Sequence, residues 1–236
     1  MTTARPVNPP TESAGPAAPF RLPDIPERHP DDMTSFKHLS ATGIVHHLAQ
    51  YLGHPDTTLV TGERYVVVRP TRSLAGSHYP DLLVAFHVDP AAYEERNGYV
   101  IDEMGKPPDF ILEVGSRYTA RTDLNEKKDY CEGLRVGEYW LFDSQGEFYG
   151  FTLRGYRLAE DRHEPIPVDE ISPGAFQGHS PALGLNLRAE AGVLGLHDPA
   201  TGEHIPTFES QTARAETAEA RVSELEAELR RLREGR

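Results

Sequence analysis

A single cysteine, Cys131, stands among 236 residues, so the chain can form neither an internal disulfide nor a cysteine-based zinc cage. A reducing cytoplasm is the expected compartment. Long hydrophobic runs are also missing. No uninterrupted apolar stretch approaches the ~20 residues needed to cross a bilayer, and the Pro- and Ala-rich opening has no apolar centre of leader length. No membrane partner is expected. Positive charge is scarce, with 24 Lys and Arg against 37 Asp and Glu and a formal net charge of −13. That balance argues against a protein that coats nucleic acid, because loose phosphate binding is driven by Lys and Arg releasing counterions. Apolar residues make up only 38% of the chain, with 20 Pro and 20 Gly, so one core with appendages is expected.

Residues 1–33 carry eight prolines and little to bury, which predicts a disordered tail. From Ser35 to Leu52, apolar residues recur at helical spacing until Gly53, predicting a first helix. Thr58–Arg69, Pro80–Val88 and Asp109–Val114 read as strands, and their continuous apolar character predicts cover on both faces. Between the last two, Asp89–Lys106 reads as a polar excursion with a short hairpin or lid around Tyr99-Val-Ile-Asp102. Thr119–Leu134 is the second helix, opened by Asp123 with Glu126 three residues later in the manner of a capping box. Glu138–Asp143 and Glu147–Leu153 then alternate like a strand pair joined at Ser144-Gln-Gly146. Strands interleaved with helices put the fold in the mixed α/β class. Beyond Tyr156 only short strands and loops are expected.

From Gln211 onward the pattern changes. Positions 211, 215, 218, 222, 225, 229 and 232 are spaced by alternating fours and threes, a coiled-coil seam of about three heptads. The expected organisation is therefore a tail over 1–33, a folded domain over 34–200, and a linker with a coiled-coil helix over 201–236. A solvated helix is the plain alternative for the last segment.

Two acids punctuate the apolar strands, Asp81 in Tyr79-Pro80-Asp81-Leu82-Leu83 and Glu113 in Phe110-Ile111-Leu112-Glu113-Val114. An acid in such surroundings is costly unless something cationic neutralises it, and a divalent cation is a simple candidate; strand-end acids facing solvent are the bland alternative. Mg²⁺ takes oxygen ligands and keeps several waters, so two carboxylates suffice. Asp109 repeats the Pro-Asp pair of Asp81 but opens Glu113's own strand, and four residues of strand separate those side chains by about 13 Å. At 100° per residue, Leu124, Cys131 and Leu134 define the buried stripe of the second helix; Lys127 falls inside it and Lys128 at its edge. An inward lysine beside two acids can hold a water or a phosphate; a snorkelling side chain is the structural alternative. Acid, acid and lysine in this order are the parts a metal-dependent phosphodiester hydrolase needs.

The segment Pro107-Pro-Asp-Phe-Ile-Leu-Glu113-Val-Gly-Ser116-Arg-Tyr-Thr-Ala-Arg-Thr-Asp123-Leu-Asn-Glu-Lys127, with Pro80-Asp81 before it and Val136-Gly-Glu-Tyr-Trp140-Leu-Phe-Asp143 after it, resembles the restriction endonuclease family within the PD-(D/E)XK nuclease superfamily. The resemblance spans roughly Ser35 to Leu196, and a family subset shares the Asp198-Pro-Ala-Thr-Gly-Glu203 exit and a C-terminal coiled coil. It implies an α/β fold with a restriction-endonuclease-like mixed-sheet core in the order αβββαβ, flanked by helices. It also implies an endonuclease acting on DNA with Mg²⁺, or Mn²⁺ in its place, Asp81 and Glu113 as metal ligands and Lys127 as the catalytic lysine. The parent superfamily pattern has its lysine two residues after the acid, where this chain has Gly115; the family is similar in moving the lysine to the following helix.

Arg117, Arg121 and Lys128 are expected to meet phosphates, or to form a solvated helix face. Asp123 caps the helix or orients Lys127, and Ser116 is a phosphate donor at most, since it has no His-Asp company. Of Tyr139 and Trp140, one is expected to be buried and one at a strand edge. A coiled-coil homodimer is the expected assembly. The alternative is a catalytically silent nucleic-acid-binding or assembly module working through that helix.

Overall fold

The computed structural model describes residues 20–26 and 36–234. Most of the expected N-terminal tail lies outside those residues, but 20–26 do not behave as a tail. Leu22 is buried against Val67 and Val100, its N–H donates to the Arg96 carbonyl at 2.8 Å, and its own carbonyl accepts from Asn97 Nδ2 at 3.0 Å. These two bonds, a third from Asn97 Nδ2 to Asp24 Oδ1 at 2.9 Å and the apolar contact help hold a segment whose prolines only forbid helix.

The expected first helix is interrupted. A π turn, Phe36–Ser40, leads into Gly43 with φ 68°, and α1 (Ile44–Leu52) follows. The strands are β1 (Thr58–Thr61), β2 (Val66–Val67), β3 (Leu82–Phe86), β4 (Tyr99–Val100), β5 (Phe110–Val114) and β6 (Glu138–Phe142). They continue with β7 (Leu153–Ala159), β8 (Arg162–Ile166), β9 (Val168–Ser172), β10 (Ala175–Ser180), β11 (Leu185–Glu190) and β12 (Val193–His197). The excursion before β5 is mostly helical rather than a hairpin: α2 (Pro90–Arg96), capped by Asp89 accepting from Ala91 N–H at 2.9 Å, then β4 and α3 (Ile101–Met104). Pro90 at the first helical position and the Asp89 cap are ordinary helix-start chemistry.

β1, β3, β5, β6, β7 and β8 form one six-stranded sheet in that order, with β5 and β6 parallel and every other neighbour antiparallel. The series α1, β1, β3, β5, helix, β6 is the expected αβββαβ core. Its central strands are buried on both faces, and the two-residue period decides which side chain goes where. Leu82, Val84, Phe110, Leu112, Val114, Trp140 and Phe142 point to a core shared with α1 and with a second sheet. Leu83, Ala85, Ile111, Tyr139 and Leu141 point to the opposite core, closed by Tyr93, Tyr99 and Cys131. Tyr139 and Trp140 are thus both fully buried, one on each face, where an edge position was expected for one of them.

The second sheet, β12-β11-β10-β9, is wholly antiparallel and was expected only as fragments. Glu138 ties it to the first. Its buried carboxylate accepts from Trp140 Nε1 at 2.8 Å, Ser180 Oγ at 2.6 Å and Ala182 N–H at 2.7 Å. The last element is α6 (Phe208–Glu234). No helix among the described residues is long and apolar enough to cross a membrane.

Candidate active site

Glu113, like Ile111, is an odd-numbered residue of β5 and points away from the second sheet, toward the helical segment after β5. That segment has three parts: α4 (Ala120–Thr122), a π turn (Asp123–Lys127) and α5 (Lys128–Gly133). The β3–β5 register pairs Leu82 with Leu112; one step further sets Asp81 opposite Glu113 on the same face. Directly opposed residues of an antiparallel pair have Cβ atoms about 5 Å apart. Asp81 Oδ2 also accepts the Val114 N–H at 2.8 Å, which pins the carboxylate at the end of β5.

Lys127 comes inward from the helix. Its Nζ donates to Glu113 Oε2 at 2.7 Å and lies 2.9 Å from Asp123 Oδ1, with both side chains buried. It also sits 5.9 Å above the Tyr79 ring. Asp81, Glu113 and Lys127 are therefore brought together, and the helix is turned as the angular argument requires. Asp109 is elsewhere: Lys106 Nζ engages its two oxygens at 2.7 and 2.6 Å, and Phe86 N–H donates to it at 2.8 Å.

Asp123 does not open the helix. The chain is already helical from Ala120, and Asp123 is completely buried inside the π turn. Its Oδ2 accepts the Tyr149 hydroxyl at 2.8 Å, and its backbone carbonyl accepts the Tyr139 hydroxyl at 2.8 Å. The extra residue of a π turn shifts side chains relative to regular helix, and here it aims Asp123 and Lys127 at the same place. Asp123 thus lies beside Lys127 rather than at the helix start where a cap was expected.

Tyr149 is the contributor that the sequence pattern does not flag. Glu147–Leu153 alternates like a strand, yet β7 begins only at Leu153, and the residues before it form turns around Asp143. The fully buried Asp143 accepts from the backbone N–H groups of Gln145 at 3.3 Å, Phe148 at 2.6 Å and Tyr149 at 2.9 Å. An acid followed by Ser-Gln-Gly is the only local signal of such a turn. His38 stands edge-on to Phe142 at 5.5 Å; burial and Lys37 lower its pKa against the pull of Asp143.

Gly115 occupies the position where the parent pattern carries its lysine. A Cβ there would lie 3.1 Å from Asp143 Cβ and 3.1 Å from Tyr149 Cε2. The turn that delivers Tyr149 has filled this space, and the lysine arrives from the helix instead. Gly115→Lys is expected to destabilise the fold by about 1–3 kcal/mol, seen as a lower urea midpoint at unchanged slope. An unchanged midpoint would contradict this packing.

The site is short of positive charge. Asp81, Glu113 and Asp123 are all buried, and Lys127 is the ammonium they share. Burial, with Asp81 and Asp123 reinforcing it, holds Glu113 well above the usual carboxyl range despite Lys127. Burial works against the Lys127 ammonium, but Glu113, Asp123 and Asp81 outweigh it and raise its pKa. Burial and the neighbouring Asp123 also push the Tyr149 phenol up, so it remains a donor. The Cys131 thiol is raised by burial and is inert. Among the described residues no three His, Cys, Asp or Glu side chains form a metal cage. Two opposed carboxylates in a region lacking positive charge still fit a hydrated Mg²⁺, which asks for one or two of them.

The remaining expected residues are placed around this centre. Arg117 and Arg121 are exposed in the segment that links β5 to Lys127. Ser116 is buried, with its Oγ 2.9 Å from Thr119 Oγ1 and accepting Thr119 N–H at 3.1 Å, which nucleates the turn into α4. Lys128 turns away from Lys127, with Nζ 5.0 Å above the Tyr156 ring and 3.7 Å from Glu132.

Residues 33–188 match the family model Uma2, described as "Putative restriction endonuclease". The chain belongs to this restriction endonuclease family. The family's description points to a nuclease of the restriction-endonuclease type. No curated protein matches the chain. A solved structure from Anabaena variabilis, described as a "putative nuclease belonging to DUF820", is 15% identical, covers 63% of this chain and 75% of its own, and has a TM-score of 0.39. The family match contains Asp81, Glu113, Asp123, Lys127 and Tyr149, and ends within β11.

Proposed function

We propose that this family member is a metal-dependent endonuclease that hydrolyses phosphodiester bonds of DNA. The observation that carries the proposal is the buried group of three carboxylates around one ammonium, with Asp81 opposed to Glu113 and Lys127 Nζ 2.7 Å from Glu113. Asp81 and Glu113 would hold Mg²⁺, with Mn²⁺ a substitute. A divalent cation held there supplies charge against the phosphoryl oxygens and makes a nearby water more acidic.

The chain's own residues do the rest. A lysine ammonium has three N–H donors; Glu113 accepts one, Asp123 Oδ1 lies 2.9 Å away as a second anion, and an N–H left facing the site orients the attacking water or a non-bridging phosphate oxygen. Asp123, held by Tyr149 and by the Tyr139 bond to its carbonyl, keeps that ammonium from swinging away. Arg117 and Arg121 give the backbone phosphates a local positive rim on an acidic protein. Lys128, drawn to Tyr156 and Glu132, is left out of this rim.

Purified protein incubated with supercoiled plasmid and Mg²⁺ or Mn²⁺ tests the proposal. Nicking or linearisation is expected from wild type, with Asp81→Ala and Glu113→Ala each losing it. Binding of DNA without cleavage under either metal would leave the silent-module reading in its place.

A further inference from the structure

Helix α6 runs for 27 residues, about 40 Å, yet among its described side chains only those of the first turn are anchored to the domain. The Phe208 ring stacks on His46 at 5.7 Å and meets His47 edge-on at 4.4 Å, over a Gly43 whose missing Cβ leaves room for it. Gln211 Nε2 reaches His47 Nδ1 at 3.5 Å, so the first position of the expected seam belongs to this anchor. Beyond it, every described side chain up to position 226 is exposed, including Val222 at 54% and Leu225 at 44%. A lone amphipathic helix of this length gains little stability from propensity alone; helices persist mainly by burying an apolar face.

The charges beside the seam say what covers it. With Ala215 and Val222 as a positions and Ala218 and Leu225 as d positions, the g positions are Arg214 and Arg221 and the e positions Glu219 and Glu226. In a parallel, in-register pair each g residue faces the e residue five positions on in the other helix, so Arg214 meets Glu219 and Arg221 meets Glu226, twice over. An antiparallel pair matches g with g and e with e, so with its axis near position 220 it sets Arg221 against Arg221 and Glu219 against Glu219. β-branched Val at a with Leu at d also favours two strands. The contact that Arg221 makes now, to Glu224 at 3.0 Å, is fully solvated and easily exchanged.

We infer that the unpartnered face of α6 binds a second copy of this chain as a parallel, in-register two-stranded coiled coil, with Arg214–Glu219 and Arg221–Glu226 pairs fixing orientation. Both nuclease domains then hang from the same end of the coil. The inference does not depend on the proposed metal chemistry.

Light scattering of the full chain over a concentration series is expected to approach twice the monomer mass. Reversing Arg214→Glu with Arg221→Glu should return it to monomer, and adding Glu219→Arg with Glu226→Arg should restore the dimer. Orientation is read by cysteine crosslinking, since Cys131 is buried. Ala215→Cys should oxidise to a covalent dimer on a non-reducing gel, while the outward-facing Ala220→Cys should not. An unchanged circular dichroism spectrum of the folded domain separates lost association from lost folding. A wild-type monomer at every concentration, a dimer indifferent to the charge reversal, no rescue by the swapped pairs, or a dimer in which Ala215→Cys fails to crosslink would each overturn the inference.

Discussion

Lys127→Met is expected to lower plasmid cleavage by about 10²–10³-fold, the usual loss when one preorganised donor to the reacting group is removed, while Lys128→Met stays within a few-fold of wild type. The neighbours make a clean comparison. They share charge and helix, but Lys127 Nζ lies against Glu113 and Asp123, whereas Lys128 Nζ is over Tyr156. Removing one partner of a buried ion pair costs about 3–5 kcal/mol, so Lys127→Met will also weaken the fold. A second variant separates the two effects. Lys127→Met with Glu113→Gln removes one of the two stranded charges, Asp123 keeping the other, and should regain part of the stability without regaining cleavage. Full activity in Lys127→Met, or equal losses in both lysine variants, would remove the lysine from the mechanism.

The second large effect is on stability and lies far from the catalytic centre. Glu138→Ala would leave Trp140 Nε1, Ser180 Oγ and Ala182 N–H without their acceptor at the junction of the two sheets. Each buried donor left unsatisfied costs about 1–3 kcal/mol, so a total loss of about 3 kcal/mol or more is expected. For a domain of this size that lowers the unfolding midpoint by about 6–12 °C. Scanning calorimetry of Glu138→Ala checks this, and a midpoint within 2 °C of wild type, on the order of the shift 1 kcal/mol produces, would show that the junction does not depend on the carboxylate.

Glu138 and Glu113 also show how far a sequence can be read. Both are acids within apolar strands, and the cost of burying a carboxylate is the same argument for each. Glu138 is satisfied by three neutral donors from β6, the end of β10 and the segment after it, residues up to 44 positions away, while Glu113 faces Lys127 and Asp81. Local sequence cannot distinguish the two cases. What was legible rested on apolar pattern. Short continuous apolar runs placed the acids' strands, and the 100° step placed Lys127 inward and Lys128 at the edge, as observed. Asp123 shows the limit, because a cap and a π-turn residue share a helical spacing and only Tyr149 and Lys127 distinguish them. Tyr149 itself was hidden in an alternating stretch that forms turns because Asp143 gathers three backbone N–H groups. The second sheet escaped notice for a related reason. Its edge strand β9 is half-exposed or exposed throughout, so its apolar signal is weak and pairing with β10 holds it; β8, at the edge of the first sheet, has only two buried residues and is held likewise by β7.

The central claim, that Asp81 and Glu113 together hold a divalent cation beside Lys127, is tested most directly by titration calorimetry with Mn²⁺ on the intact protein. One ion bound per chain in wild type, lost in Glu113→Gln while the variant remains folded by circular dichroism, is the predicted result. No binding by wild type, or the same isotherm from Glu113→Gln, would contradict it.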